Sequence, residues 1–155
     1  MAVFSDPWTF MVLREAFFGV RRFDQFARNL DISRNVLTKR LNHLVEQKVF
    51  ERRQYQSRPD RYEYRLTAQG LDMYPALTAL MQWGDRWLAD GAGPPLVLMH
   101  ERCGHETHPV TVCDRCGEPV RAREMRYRPG PGAPLAHTPA PATAPSPATA
   151  TRRPR

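Results

Sequence analysis

Arg22-Phe23-Asp24-Gln25-Phe26-Ala27-Arg28-Asn29-Leu30 and, after Asp31-Ile32, Ser33-Arg34-Asn35-Val36-Leu37-Thr38-Lys39-Arg40-Leu41-Asn42-His43-Leu44-Val45 are two helical patterns with a break between them. In the first, Phe23, Phe26, Ala27 and Leu30 recur at i, i+3, i+4 and i+7, which is one face of a helix. Ser33 is a good N-cap for the second, because its hydroxyl can accept from a backbone N–H of the first turn; that helix should run to about Lys48. Its buried stripe is Val36 or Leu37, then Leu41, Leu44 and Val45. The opposite face carries Arg34, Asn35, Thr38, Lys39, Asn42 and, near its edge, Arg40. Such residue types read base edges and hold phosphates. A helix, a tight turn and a second helix with this face predict a helix-turn-helix.

The next segment extends the pattern. Val49-Phe50-Glu51-Arg52-Arg53-Gln54-Tyr55 and Arg61-Tyr62-Glu63-Tyr64-Arg65-Leu66 alternate charged residues with aromatic and β-branched ones, around a polar Gln56-Ser57-Arg58-Pro59-Asp60 segment. That predicts a β-hairpin with a five-residue loop. A hairpin directly after the recognition helix makes the wing of a winged helix. Its tip carries Arg58 and Arg61, suited to the sugar-phosphate backbone or a minor groove. From Ser33 to Leu66 there are nine Lys/Arg against four Asp/Glu. Charges of this kind can merely solvate a surface, but here they follow the structural signals in the right order.

Composition sets the outer limits. At 155 residues the chain is about one domain with a small appendage. A net charge of +7 and a pI near 9.9 suit an anionic partner, though charge alone does not separate nucleic acid from a membrane surface. No apolar run approaches the roughly 20 residues of a membrane span. The first residues lack the basic start and apolar stretch of a secretory signal. Three cysteines are too few for a disulfide framework, so a reducing cytoplasm is expected.

Around the winged segment the chain divides further. Pro7 to Gly19 is a strongly apolar helix with Asp6-Pro7 as cap and first turn. Thr67-Ala68-Gln69-Gly70 opens another helical stretch, with Leu71, Tyr74, Leu77, Leu80, Met81, Trp83, Trp87 and Leu88 at helical spacing. Pro75 should kink it or split it in two. The Leu71–Leu88 region is too apolar for a small winged core alone, so its surplus, with the Trp8 helix, predicts a homodimer surface. Domain boundaries follow: 7–90 winged unit, 91–95 linker (Gly91-Ala92-Gly93-Pro94-Pro95), 96–128 a second compact unit, 129–155 a tail. The tail holds eight of fifteen prolines and no acidic residue, and is expected to be disordered. Its Arg152-Arg153-Pro154-Arg155 end could add weak phosphate attraction.

The second unit repeats itself. His100-Glu101-Arg102-Cys103-Gly104 matches Cys113-Asp114-Arg115-Cys116-Gly117, with His in place of the first Cys. Each half has two ligands separated by two residues, then a glycine that lets backbone amides approach a thiolate. Two such knuckles supply four donors (His100, Cys103, Cys113 and Cys116) for structural, tetrahedral zinc. Thiolate and imidazole favour zinc over calcium or magnesium. Leu96-Val97-Leu98-Met99 and Val110-Thr111-Val112 would lead in as short strands of a zinc ribbon. His105 and His108 compete for the fourth ligand position.

Trp8-Thr9, Leu13-Arg14-Glu15, Gly19-Val20-Arg21-Arg22-Phe23, Ile32-Ser33, Leu37-Thr38 with Arg40-Leu41, and Leu44 stand in order along the chain. So do Glu63-Tyr64-Arg65-Leu66-Thr67 with Gly70, Pro75 with Leu77, and Trp83-Gly84. Together, over about Trp8 to Leu88, they resemble the HxlR family of bacterial winged-helix transcription regulators. The ribbon-like addition is similar to one that a subset of that family carries. The resemblance implies a homodimer, built through terminal helices, that binds a palindromic operator with one recognition helix per half-site. Members usually have another helical turn before the Trp-Thr pair, often with a sensing cysteine. Here seven residues precede Trp8 and none is Cys, which puts thiol sensing in question. A start codon assigned too late would explain this equally well.

The expected architecture is therefore mainly α with a small β-wing, a zinc-ribbon-like β unit and a disordered C-terminal tail. The expected function is a cytoplasmic, nucleoid-associated regulator, most simply a repressor, bound to double-stranded DNA. Ser33 caps the recognition helix and bonds a phosphate. Arg34, Asn35, Thr38 and Lys39 face the major groove, Arg40 and Asn42 contact its walls, and Arg58 and Arg61 hold the flanking backbone. An enzyme is not expected: His100, His105 and His108 are spaced five and three apart, in a Pro- and Gly-punctuated segment, where the zincin pattern needs two His four apart on a helix. No nucleophile elbow or Gly-rich phosphate loop is present. The alternative is a protein-interaction module that does not read DNA sequence, with the ribbon as its docking surface.

Overall fold

A computed structural model describes residues 6–89, 91 and 93–132. Helix α1 (Pro7–Phe17) starts where Asp6 Oδ1 accepts the Trp8 N–H at 2.8 Å. Pro7 sits in the first turn, where a missing N–H costs nothing. Gly19, at φ 86°, takes the left-handed conformation that ends the segment. Helix α2 (Phe23–Leu30) and helix α3 (Arg34–Glu46) follow, joined through Asp31 at φ 48°. Ser33 caps α3 as expected, its Oγ accepting the Val36 N–H at 3.4 Å.

The wing is β1 (Phe50–Ser57) paired antiparallel with β2 (Asp60–Leu66), from Phe50↔Leu66 to Ser57↔Asp60, with a bulge between Gln54 and Gln56. It is tighter than the five-residue loop expected. Gln56, Ser57 and Asp60 join the ladder and leave Arg58-Pro59 as the turn. Side-chain amides make this possible: Gln54 Nε2 donates to Asp60 Oδ1 at 2.9 Å, and Gln56 Nε2 donates to the Arg58 carbonyl at 2.8 Å.

The helical stretch after the wing is split. Helix α4 (Ala68–Leu71) is capped by Thr67, whose Oγ1 accepts the Gly70 N–H at 3.1 Å. Helix α5 (Tyr74–Trp87) restarts with Pro75 in its first turn, where the ring breaks no hydrogen bond. Of the two outcomes open for Pro75, the break is the one found.

One cluster forms the core: Val12 and Leu13 of α1, Phe26 and Leu30 of α2, Ile32, then Leu37, Leu41 and Leu44 of α3, with Val49, Phe50 and Tyr64. The α3 stripe thus runs through Leu37, and Val36 and Val45 lie at its margin. Glu15 is also buried; Asn29 Nδ2 donates to its Oε2 at 2.8 Å and Arg14 Nη2 to its Oε1 at 3.0 Å, tying α1 to α2. From α5 only Leu77 and Thr78 are buried. Leu80, Trp83, Trp87 and Leu88 stay in solvent, with Trp87 68% exposed, so most of the surplus apolar surface is unspent within the chain.

By packing, the chain divides after Pro109, later than the linker expected at 91–95. The first unit includes a minimal hairpin, β3 (Met99–His100) with β4 (His105–Glu106). Among its described residues the second unit holds one bridge, Val112↔Pro119, and a short turn of 3-10 helix at Ala122–Glu124. The strands expected over Leu96–Met99 and Val110–Val112 therefore shrink to Met99 and Val112. The Leu98 carbonyl accepts the Thr107 N–H at 2.8 Å, but the ladder goes no further. Most of the tail expected to be disordered, residues 133–155, lies outside the described residues. Among the described residues no helix is long and apolar enough to cross a membrane.

Candidate nucleic-acid interface

With Leu37, Leu41 and Leu44 locked into the core, α3 turns its other side outward. Ser33, Arg34, Asn35, Thr38, Lys39 and Asn42 are all exposed. The side chains expected to reach a duplex thus share one solvent-facing surface. Thr38 Oγ1 donates to the Arg34 carbonyl at 2.8 Å, which holds its rotamer while the oxygen can still accept. Arg34 lies over the Phe23 ring at 5.0 Å and reaches Asp24 Oδ1 at 3.1 Å. Both partners of that ion pair are about three-quarters exposed, so it is worth at most about 1 kcal/mol and a phosphate can displace it.

Arg40 departs from the expectation. Its Nη2 sits 3.3 Å from Asp6 Oδ2, and both side chains are about three-quarters buried. Its Nε is buried without a partner among the described residues. Arg40 lies one helical turn from Leu37, so it leans toward α1, where the Asp6 carboxylate is the available anion. Asp6 caps α1 with one oxygen and holds α3 with the other. Arg40 is better described as a tie between the two helices than as a contact to the groove wall.

The wing places Arg58 at its turn and Arg61 beside it, both exposed. It also carries cations that sequence reasoning missed. Arg52 of the wing stacks over Tyr62 at 3.7 Å, and Arg22, at the N-cap of α2, covers the wing's Tyr55 at 4.6 Å. The signal was the alternation of Arg and Tyr across the two strands, read only as strand-forming pattern. Stacking over a ring holds a guanidinium in place while its N–H edges remain free to donate. Burial keeps the Tyr64 hydroxyl protonated, opposed in part by the Arg52 charge.

In the first knuckle, Cys103 Sγ is 3.4 Å from His100 Nδ1, the His100 carbonyl accepts from the Cys103 and Gly104 N–H groups, and Gly104 has φ 71°. In the second, the Cys113 carbonyl accepts the Gly117 N–H at 2.9 Å and Gly117 has φ 76°. The Arg115 and Cys116 backbone N–H groups, with the Cys116 side chain, hold the Cys113 thiol below its ordinary range. The sequence repeat is thus a backbone repeat as well. Zinc bonds of about 2.3 Å to sulfur and about 2.0 Å to nitrogen put neighbouring tetrahedral donors about 3.6 Å apart. The His100–Cys103 pair fits that edge. Among the described residues no three His, Cys, Asp or Glu side chains stand together as a metal-binding group, and all three cysteines are free thiols.

Residues 3–92 match the HxlR-like helix-turn-helix family. An uncharacterized HTH-type transcriptional regulator of Mycobacterium tuberculosis (strain ATCC 25618 / H37Rv) is 51% identical over 128 residues, covering 83% of this chain and 81% of the relative. Among solved structures, a candidate transcription factor of Pseudomonas aeruginosa, PA1374, is similar with TM-score 0.62 and 36% identity, over 83% of this chain and 87% of that one. Another candidate transcription factor, PA1607, has TM-score 0.72 and 30% identity, over 81% and 87%.

Proposed function

The chain belongs to the HxlR-like helix-turn-helix family, whose relatives are transcriptional regulators, and from that premise we propose that it binds a palindromic operator as a homodimer, one α3 in each major groove. The observation that carries this reading is the outward face of α3, where Arg34, Asn35, Thr38, Lys39 and Asn42 share one exposed surface flanked by the wing. Asn and Lys are suited to base edges, and the wing cations to phosphates. The exposed apolar side chains of α5, with Trp8 of α1 and Phe18 at its C-cap, supply the dimer surface, since a lone chain would leave them in water. A dimer seated on an operator blocks other proteins there, so repression is the simplest outcome, acting at the nucleoid of a bacterial cytoplasm.

The test begins with an operator selected from random-sequence DNA. Asn35→Ala or Lys39→Ala is expected to weaken it by about 1–3 kcal/mol in a gel shift. Arg58→Ala should weaken all sequences alike and flatten the salt dependence by about one in slope. Unchanged affinity in both α3 variants would displace the reading face from α3.

For the C-terminal segment we infer a structural zinc held by His100, Cys103, Cys113 and Cys116. The support is the repeated knuckle and the donor spacing within the first of them. When bound, the metal supplies only cross-linking of two otherwise minimal turns. Protein purified without added zinc should carry about one equivalent per chain by elemental analysis. Less than about a tenth, with the fold unchanged by chelation, rules the site out.

A further inference from the structure

A cleft of about 350 Å³ lies between the C-terminal end of α1, the root of the wing strand β2 and α4. Its volume is within the range of small-molecule sites, roughly 300–1,000 Å³. The walls are of two kinds. Phe17, Leu66 and Leu71 supply apolar surface, and Arg21, Tyr64 and Arg65 supply polar groups. Both charged residues in that lining are cations. Arg65 is already neutralised, its Nε lying 2.7 Å from Glu63 Oε1. Arg21 has no side-chain partner among the described residues. Its carbonyl accepts the Tyr64 N–H at 2.8 Å, which fixes the two residues side by side. Tyr64 is only 9% exposed, and its hydroxyl also has no partner among the described residues. That hydroxyl is not among the buried unsatisfied polar atoms, so water reaches it and a ligand oxygen can take the water's place as its acceptor.

We propose that this cleft binds a small monoanionic carboxylate with an apolar body, such as an arene or short-chain fatty carboxylate. The carboxylate would pair with the Arg21 guanidinium and accept from the Tyr64 hydroxyl, while the apolar body rests on Phe17, Leu66 and Leu71. Because burial raises the Tyr64 pKa, the hydroxyl stays a donor at neutral pH. Arg21 is exposed, so a neutral ligand leaves its charge to water and gains nothing from it, and inorganic phosphate leaves the apolar walls wet. Since α1 forms one wall and the wing strand another, an occupant sets the spacing between them. The site does not depend on the DNA reading, because it is tested in protein free of DNA.

The experiment is calorimetric titration of the full chain with benzoate, phenylacetate and hexanoate, against benzamide and inorganic phosphate. At least one carboxylate is expected to saturate with a dissociation constant of about 1 mM or tighter. Benzamide and phosphate should bind at least about tenfold more weakly. Arg21→Gln should remove the preference for carboxylate over amide, and Arg21→Lys should restore part of it. Tyr64→Phe keeps the buried ring and should weaken the carboxylate several-fold. Benzamide binding as well as benzoate, phosphate competing equally, a preference unaltered in Arg21→Gln, or no carboxylate saturating below about 10 mM would each overturn the proposal.

Discussion

Phe26→Ala is expected to remove about 3–5 kcal/mol of folding stability, a large share of the roughly 5–15 kcal/mol that holds a domain of this size. Phe26 is fully buried at the centre of α2, and its ring lies 6.5 Å from that of Phe50. It therefore bridges the helix-turn-helix to the first residue of the wing. Truncation loses the transfer free energy of the ring and leaves a cavity that the α3 leucines, pinned on their own helix, cannot fill. Urea denaturation at one protein concentration should show a lower midpoint with an unchanged slope. Phe23, one turn earlier in the same helix, is only partly buried, and Phe23→Ala should cost clearly less. Equal losses at the two positions would mean that α2 does not present the face seen here.

The second large effect is one in which sequence and structure disagree in sign. Gly70 lies in α4, and by helix propensity alone Gly70→Ala should stabilise by up to about 1 kcal/mol. In the folded chain an added Cβ would collide with the Val49 carbonyl oxygen and sit 3.0 Å from Leu66 Cδ2. Val49 O is held in place, accepting from the Thr67 N–H at 3.1 Å and from Thr67 Oγ1 at 3.2 Å. Because the obstacle is backbone, no rotamer change relieves it; α4 and the start of the wing must part. The substitution should destabilise by about 3 kcal/mol, at the upper end of overpacking costs. A thermal melt decides between the two: an unchanged or higher midpoint would show that α4 does not pack against Val49.

What was legible in the residues differs by region. In α3 both the cap at Ser33 and the exposed face came from local spacing, and both are found in place. The wing strands were legible from alternation, but the turn was not, because Gln54 reaches Asp60 across the hairpin, a pair that a linear reading does not bring together. Arg40 shows the same limit more sharply. Its position on the wheel put it at the edge of the reading face, while its guanidinium is taken by an aspartate that belongs to another helix. The ribbon strands were overread: an apolar run such as Leu96–Met99 predicts a strand only if a partner lies alongside, and only Met99 has one.

Periodicity, capping and the order of elements are properties of neighbours along the chain, so the residues themselves determined the winged helix-turn-helix, its outward α3 face, and the knuckle repeat in sequence. The Asp6–Arg40 tie, the tight seat of Gly70 beneath Val49, the stacked Arg52 and the cleft beside Arg21 and Tyr64 were decided only by tertiary structure. Each depends on groups far apart in the chain meeting at a few ångströms, and hydrogen bonds, ion pairs and excluded volume act only at that range.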